Sequence, residues 1–141
     1  MGSFSDSLEN AVLNYVFGAT TPASPLALAN LYIGLSTADP GDDFATLAEP
    51  VIGVGAYARV AVANDHTTWH TSTVGSTHND IVVTFPPASL SWGVCTHFFI
   101  ADRALLASSI FLGSSVLTNP KTVDPGDTCS FAIGDLIISL T

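Results

Sequence analysis

The side chains best suited to chemistry lie in one stretch, NDHTTWHTSTVGSTHND, where His66, His70 and His78 stand with Asp65 and Asp80. Zinc needs three or four ligands that converge in space, and a His-x-x-x-His spacing supplies two of them when both lie on one helix face. Here Thr67, Thr68 and Trp69 fill that spacing, Thr, Ser and Gly flank it, and the Glu of a zinc-protease motif is missing. These residues favour loop or strand over helix. The pattern predicts a polar surface loop with incidental histidines and no metal centre. A second acidic group, Asp39, Asp42 and Asp43, matches no EF-hand spacing and reads as a solvated turn.

Other signatures are missing. His97 sits in the alternating run THFFIAD and reads as a strand histidine rather than a general base. The chain has no Gly-x-Ser-x-Gly elbow, no phosphate-binding loop and no dinucleotide fingerprint. A spatial Ser, His and Asp triad is recognised by geometry, so spacing alone leaves it open. The expectation is a protein without catalytic residues or cofactor. Cys95 and Cys129, each in an apolar run, read as two buried thiols. Trp69 and Trp92 are the aromatic candidates should the domain be a carbohydrate- or receptor-binding module, with Trp92 at a strand end and Trp69 in a loop as the structural reading.

Composition sets the class. The 141 residues suit one domain, 1–141, and 48% hydrophobic content with 11% charged residues gives enough apolar area to offset chain entropy. Against twelve carboxylates stand only Arg59, Arg103 and Lys121, for a net charge of −9. Three dispersed cations make no phosphate-binding patch, so nucleic acid and anionic membrane are not expected partners. No apolar run is long enough to span a bilayer, and the start lacks the charged and apolar regions of an export signal, so use without Sec export is expected. A surface this poor in charge needs covering by neighbours, which implies assembly.

The elements follow from period. Leu8, Ala11, Val12, Tyr15 and Val16 fall at helical spacing after Asp6, a candidate cap with Glu9 three residues on, predicting a helix at about 6–17. Leu8, Val12, Tyr15 and Val16 form the candidate assembly interface, packing on the β domain or a neighbouring subunit. Residues of about 18–27, with two prolines, read as linker, and about 28–141 as β domain. Strands are expected near 28–36, 57–62, 81–85, 94–100, 109–113, 128–133 and 136–140, several apolar on both faces. Asp39-Pro40-Gly41-Asp42 and Asp124-Pro125-Gly126-Asp127 encode type II turns, and Gly134-Asp135 a hairpin, bulge or bend. The fold class is mainly β, a β-sandwich or jelly-roll-like domain with one N-terminal α-helix.

Five segments in order carry a resemblance: SDSLENAVLNYVFG, LYIGLSTADPGD, GAYARVAV, VTFPPAS with WGVCTHFFIADRA, and KTVDPGDTCSFAIGDLIISL. Together they resemble a family of small virion structural proteins of tailed bacteriophages, often described as tail-fibre proteins. The histidine-rich stretch departs from that pattern and looks like an exchangeable loop. The resemblance implies a virion location, no catalytic residues, and packing against copies of itself and a neighbouring virion protein. The major capsid protein is the preferred partner, with a tail protein the alternative. Capsid decoration, in which a small module cements the head from outside, is the preferred role because a compact β domain lacks a fibre's repetitive shaft. A tail or tail-fibre component is the alternative.

Overall fold

The computed structural model describes residues 3–18, 28–72 and 74–139. In chain order it contains β1 (Ser3–Phe4), α1 (Asp6–Gly18), β2 (Asn30–Ser36), β3 (Val60–Ala63), β4 (Ser76–His78), β5 (Val83–Thr84), β6 (Gly93–Ala101), β7 (Phe111–Val123), β8 (Ser130–Phe131) and β9 (Ile137–Ser139). The protein is mainly antiparallel β with one N-terminal helix, as its periodicity predicts. Five strands form one sheet in the order β1-β7-β6-β2-β3, while β4 pairs with β9 and β5 with β8 as two short ribbons.

Several boundaries differ from the sequence reading. The strand expected at 109–113 runs instead to Val123, and β1 and β4 were not foreseen. Gly134-Asp135 is neither a hairpin nor a bend within one strand, because β8 and β9 pair with different partners. It is a turn between the ribbons, closed by Asp135 N donating to Ala132 O at 3.1 Å, with Gly134 at φ 85. The helix reaches Gly18, and the rest of the predicted linker, 19–27, lies outside the described residues. Its cap is Ser5 rather than Asp6: Leu8 N donates to Ser5 Oγ at 3.4 Å and Glu9 N to Ser5 O at 3.0 Å. Ser5 N also donates to Leu112 O at 2.8 Å, so the cap pins the helix start to β7.

The central strands are apolar on both faces because both are covered. On one face Ile33 and Leu35 of β2 stand beside Ile100 and Phe98 of β6. They join a buried cluster with Val83, Phe85, Trp92 and Leu136 from the ribbons and their connections. Phe131 of β8 stands edge-on to Phe98, centroids 5.7 Å apart, bringing a ribbon onto the sheet. On the other face Phe99 lies across Gly34, where a Cβ would come within 2.2 Å of its ring. Only glycine leaves that room.

Arg59 covers this second face. Its guanidinium carbon is 5.0 Å from the Phe99 centroid and 5.6 Å from that of Phe111, which stacks on Phe44 at 4.5 Å. All three of its nitrogens donate: Nε to Glu49 Oε1 at 2.8 Å, Nη2 to Glu49 Oε2 at 2.7 Å, and Nη1 to Arg103 O and Ser109 Oγ, both at 2.9 Å. Tyr57 Oη donates to Glu49 Oε1 at 3.0 Å and accepts from Leu35 N at 2.9 Å. Burial, then the Glu49 carboxylate, push the phenol well above its ordinary value.

Removing one partner of a buried ion pair strands the other, at a cost of about 3–5 kcal/mol. Arg59→Met is therefore expected to lower unfolding stability by that order in urea titration. Adding Glu49→Leu should restore a large part, because the stranded carboxylate is gone. A single variant as stable as the parent would remove Arg59 from its structural role.

Candidate functional site

Residues 65–72 and 74–80 fold back on one another. Asp65 opens the first of these, its carboxylate accepting from Thr67 Oγ1 at 2.7 Å, Thr67 N at 2.9 Å and Thr68 N at 3.1 Å. The bonds from Thr67 are the main cause that holds this carboxyl below the usual range. Trp69 and Asn79 then form an isolated antiparallel bridge, and His70 N donates to His78 O at 2.8 Å, so those two histidines stand opposite each other. Both bridge residues are buried. Asn79 Nδ2 donates to Ile81 O and Ala132 O at 2.7 and 2.8 Å, and its Oδ1 accepts from Leu136 N at 2.8 Å.

With Asn79 turned inward, His78 and Asp80 on either side turn outward. His70 Nδ1 is 3.2 Å from Asp80 Oδ2, and His78 Nε2 is 3.4 Å from Asp80 Oδ1. The two rings stack with centroids 4.5 Å apart. The stretch is more ordered than the plain surface loop expected, since it carries β4 and a bridge, and three of its polar residues are not scattered. His66 and His70 have the spacing of a helical pair, but the fold instead sets His70 against His78, eight positions on, through the bridge. His66 is not part of the group, its Nδ1 lying 3.5 Å from Thr71 Oγ1. Among the described residues, His70, His78 and Asp80 are the group of three whose ligand atoms all lie within 4.8 Å of one another.

The other candidates resolve into structure. Asp39 Oδ1 accepts from Gly41 N and Asp43 Oδ1 from Ala45 N, each at 3.0 Å, which shapes the loop that carries Phe44. In the second turn Asp127 N donates to Asp124 O at 3.0 Å with Gly126 at φ 95, as a type II turn requires. His97 lies between Thr96 Oγ1 at 2.9 Å and Asp39 Oδ1 at 3.9 Å. Neither tryptophan presents a face to solvent: Trp92 is buried with Nε1 donating to Gly55 O at 2.8 Å, and Trp69 is buried beside the helix rather than displayed on a loop. That removes the aromatic platforms of the carbohydrate-binding reading.

Cys95 and Cys129 are free, buried thiols. Burial, with the neighbouring Cys129 as a lesser cause, pushes the Cys95 thiol up to about 11. Both line a cavity of about 580 Å³ together with Leu35, Phe98, Lys121 and Phe131. It opens where β7 bulges, Leu117–Pro120 lying opposite Thr96 alone between the register pairs Cys95↔Lys121 and His97↔Val116.

Of the candidate interface, Leu8 and Val12 are half-buried; the side chains of Tyr15 and Val16 lie outside the described residues. Leu8 packs against the core and lines an apolar cleft of about 220 Å³ with Phe4, Leu31, Trp69, Leu112 and Ile138. Further along, Leu13 is 54% and Phe17 83% exposed. The helix therefore docks by its first turns and leaves apolar side chains uncovered beyond them.

The fold is a small antiparallel β domain with one N-terminal helix that leaves apolar side chains uncovered. The sequence matches the family described as Podophage GP4 fiber I protein gp80 over residues 3–139, and the chain belongs to that family of phage virion fibre-type structural proteins. No curated protein matches it. Among the described residues, no helix is long and apolar enough to cross a membrane.

Leu8→Asp is expected to lower the melting transition by the equivalent of about 1–3 kcal/mol, since it puts a charge into the helix contact; unchanged melting would refute the docking. The thiols predict an alkaline effect. Below the ordinary thiol value of 9.0 the group is neutral in both states; above it the unfolded chain ionises first, so stability falls as pH rises from about 9 towards 11. Chemical denaturation across that range should show a shallower loss for Cys95→Ala than for the parent.

Proposed function

We propose that this chain is a component of the tail fibre of a podophage virion, acting by packing against copies of itself and a neighbouring tail protein rather than by catalysis. The observation that carries the reading is the family match over residues 3–139, since the description of that family names a fibre protein. Capsid decoration, preferred on sequence alone, rested on compactness and on the lack of a repetitive shaft. Compactness suits equally a module that joins a fibre to its attachment point. The family description favours the fibre.

The packing surface fits the same reading. Leu13 and Phe17 project from a helix whose first turns are already occupied, and two large apolar side chains in water favour burial against a partner. The net charge of −9 keeps copies apart until such a contact is offered and disfavours a lining role beside packaged DNA.

Quantitative mass spectrometry of purified virions, normalised to the major capsid protein, tests the assignment. A tail-fibre component is expected at a few copies set by the tail's rotational symmetry, and virions lacking it should be impaired in adsorption or tail completion. Copy numbers that scale with the capsid subunits would overturn the fibre reading in favour of decoration. Phe17→Ser with Leu13→Ser should reduce incorporation while leaving the isolated chain's melting unchanged. Full incorporation of that variant would place the contact elsewhere.

A further inference from the structure

We propose that His70, His78 and Asp80 form a binding site for one borderline divalent transition ion, with zinc as the representative of that class. The donor set is two imidazoles and a carboxylate, which suits zinc and its neighbours rather than magnesium or calcium, whose sites are built from oxygens. With Zn–N and Zn–O near 2 Å, two ligands of a tetrahedral ion lie roughly 3.3 Å apart. The His70 Nδ1 to Asp80 Oδ2 and His78 Nε2 to Asp80 Oδ1 separations are 3.2 and 3.4 Å, each to a different carboxylate oxygen, and one ligand atom from each residue lies within 4.8 Å of the other two, so a small adjustment brings the three to that spacing. The rings are stacked, so one must turn about its last side-chain torsion for both lone pairs to meet at the ion. That torsion is broad and soft for histidine.

The backbone beneath is held before any ion arrives. Asp80 N donates to Thr68 O at 2.7 Å, His70 N to His78 O at 2.8 Å and Thr77 Oγ1 to His70 O at 2.6 Å, while Trp69 and Asn79 anchor both sides in the interior. A second observation points the same way: the ion pairs of Asp80 are made with these two histidines, while Arg59 and Arg103 pair with Glu49 and Asp102. A carboxylate that faces an edge nitrogen of each of two stacked imidazoles fits a cation taken up at those three edges. The three side chains are 54%, 36% and 34% exposed, so the ion reaches them directly from solvent and keeps water in its remaining positions. This departs from the sequence expectation of incidental histidines because the bridge, and not a helix, brings the ligands together.

The test uses the full chain, stripped with a chelator, dialysed and titrated with zinc chloride by calorimetry at neutral pH, with magnesium and calcium as comparisons. One saturable zinc site per chain is expected, no comparable uptake of magnesium or calcium, and a higher melting temperature with zinc. His70→Ala, His78→Ala and Asp80→Asn should each weaken binding by about tenfold or more, since losing even a supporting group near a metal costs that much. His66→Ala should bind as the parent does. Should a variant fail to fold, proton NMR of the parent decides: the imidazole signals of His70 and His78 move on zinc addition and those of His66 and His97 do not. Absence of saturable uptake, uptake retained in His70→Ala or Asp80→Asn, or shifts at His66 instead of His78 would overturn the site.

Discussion

The buried pair between Arg59 and Glu49 is the contact on which the second face of the sheet depends. A buried ion pair is not stabilising by default, because the desolvation of two charges can exceed their attraction. Here the cost is offset by completeness: both Glu49 oxygens accept from the guanidinium, its remaining nitrogen reaches the 103–109 loop, and Tyr57 bonds the same carboxylate. Three segments, at 49, at 57–59 and at 103–109, meet at one charge. The guanidinium then closes over Phe99, whose ring occupies the space that Gly34 leaves open on the neighbouring strand. Phe44 completes the cover by stacking on Phe111, and it does so at φ 57, a backbone state that costs a bulky residue free energy and persists only where packing holds it.

Two-sided coverage accounts for the apolar runs of the central strands, and it leaves the sheet edge and the helix as the places to consider for contacts. Among the described residues β1 pairs with β7 at Gly113 and Ser114, leaving the later part of that strand as a sheet edge. An open edge invites further strands, and this one carries Pro120, which has no N–H to offer, then Lys121, and a four-residue bulge. Edge-to-edge growth is disfavoured there. The uncovered apolar side chains of the helix, Leu13 and Phe17, carry no such protection, which is why the proposed packing contact is placed there.

Much of the fold was legible because strand and helix periods are local. Alternation marked β2 and β6, and the turn tetrapeptide at 124–127 took the conformation its proline and glycine dictate. What escaped has physical reasons. β1 and β4 are too short to show a period and exist only through their partners Ser114 and Ser139. Asp6 and Ser5 are equally good caps on paper, and the tie from Ser5 to β7 decides between them. Glu49 lies outside any periodic segment, so nothing in the sequence announces that it is buried against Arg59, ten positions away.

The histidine loop shows why spacing alone misjudges such sites. A search for ligands by interval assumes the element, and His66 with His70 has the interval of a helix. In an antiparallel bridge the relevant interval depends on the position of the fold-back. Side chains at 70 and 78 meet because 69 and 79 pair, and 69 and 79 pair because a tryptophan and an asparagine are buried there. Asn79 spends its polar groups on Ile81, Ala132 and Leu136 in the interior, and in doing so sets the outward direction of its two neighbours. The chemistry on the surface of this loop is thus decided by its buried residues, and Asn79, which offers a metal nothing, is the residue that aligns His78 and Asp80.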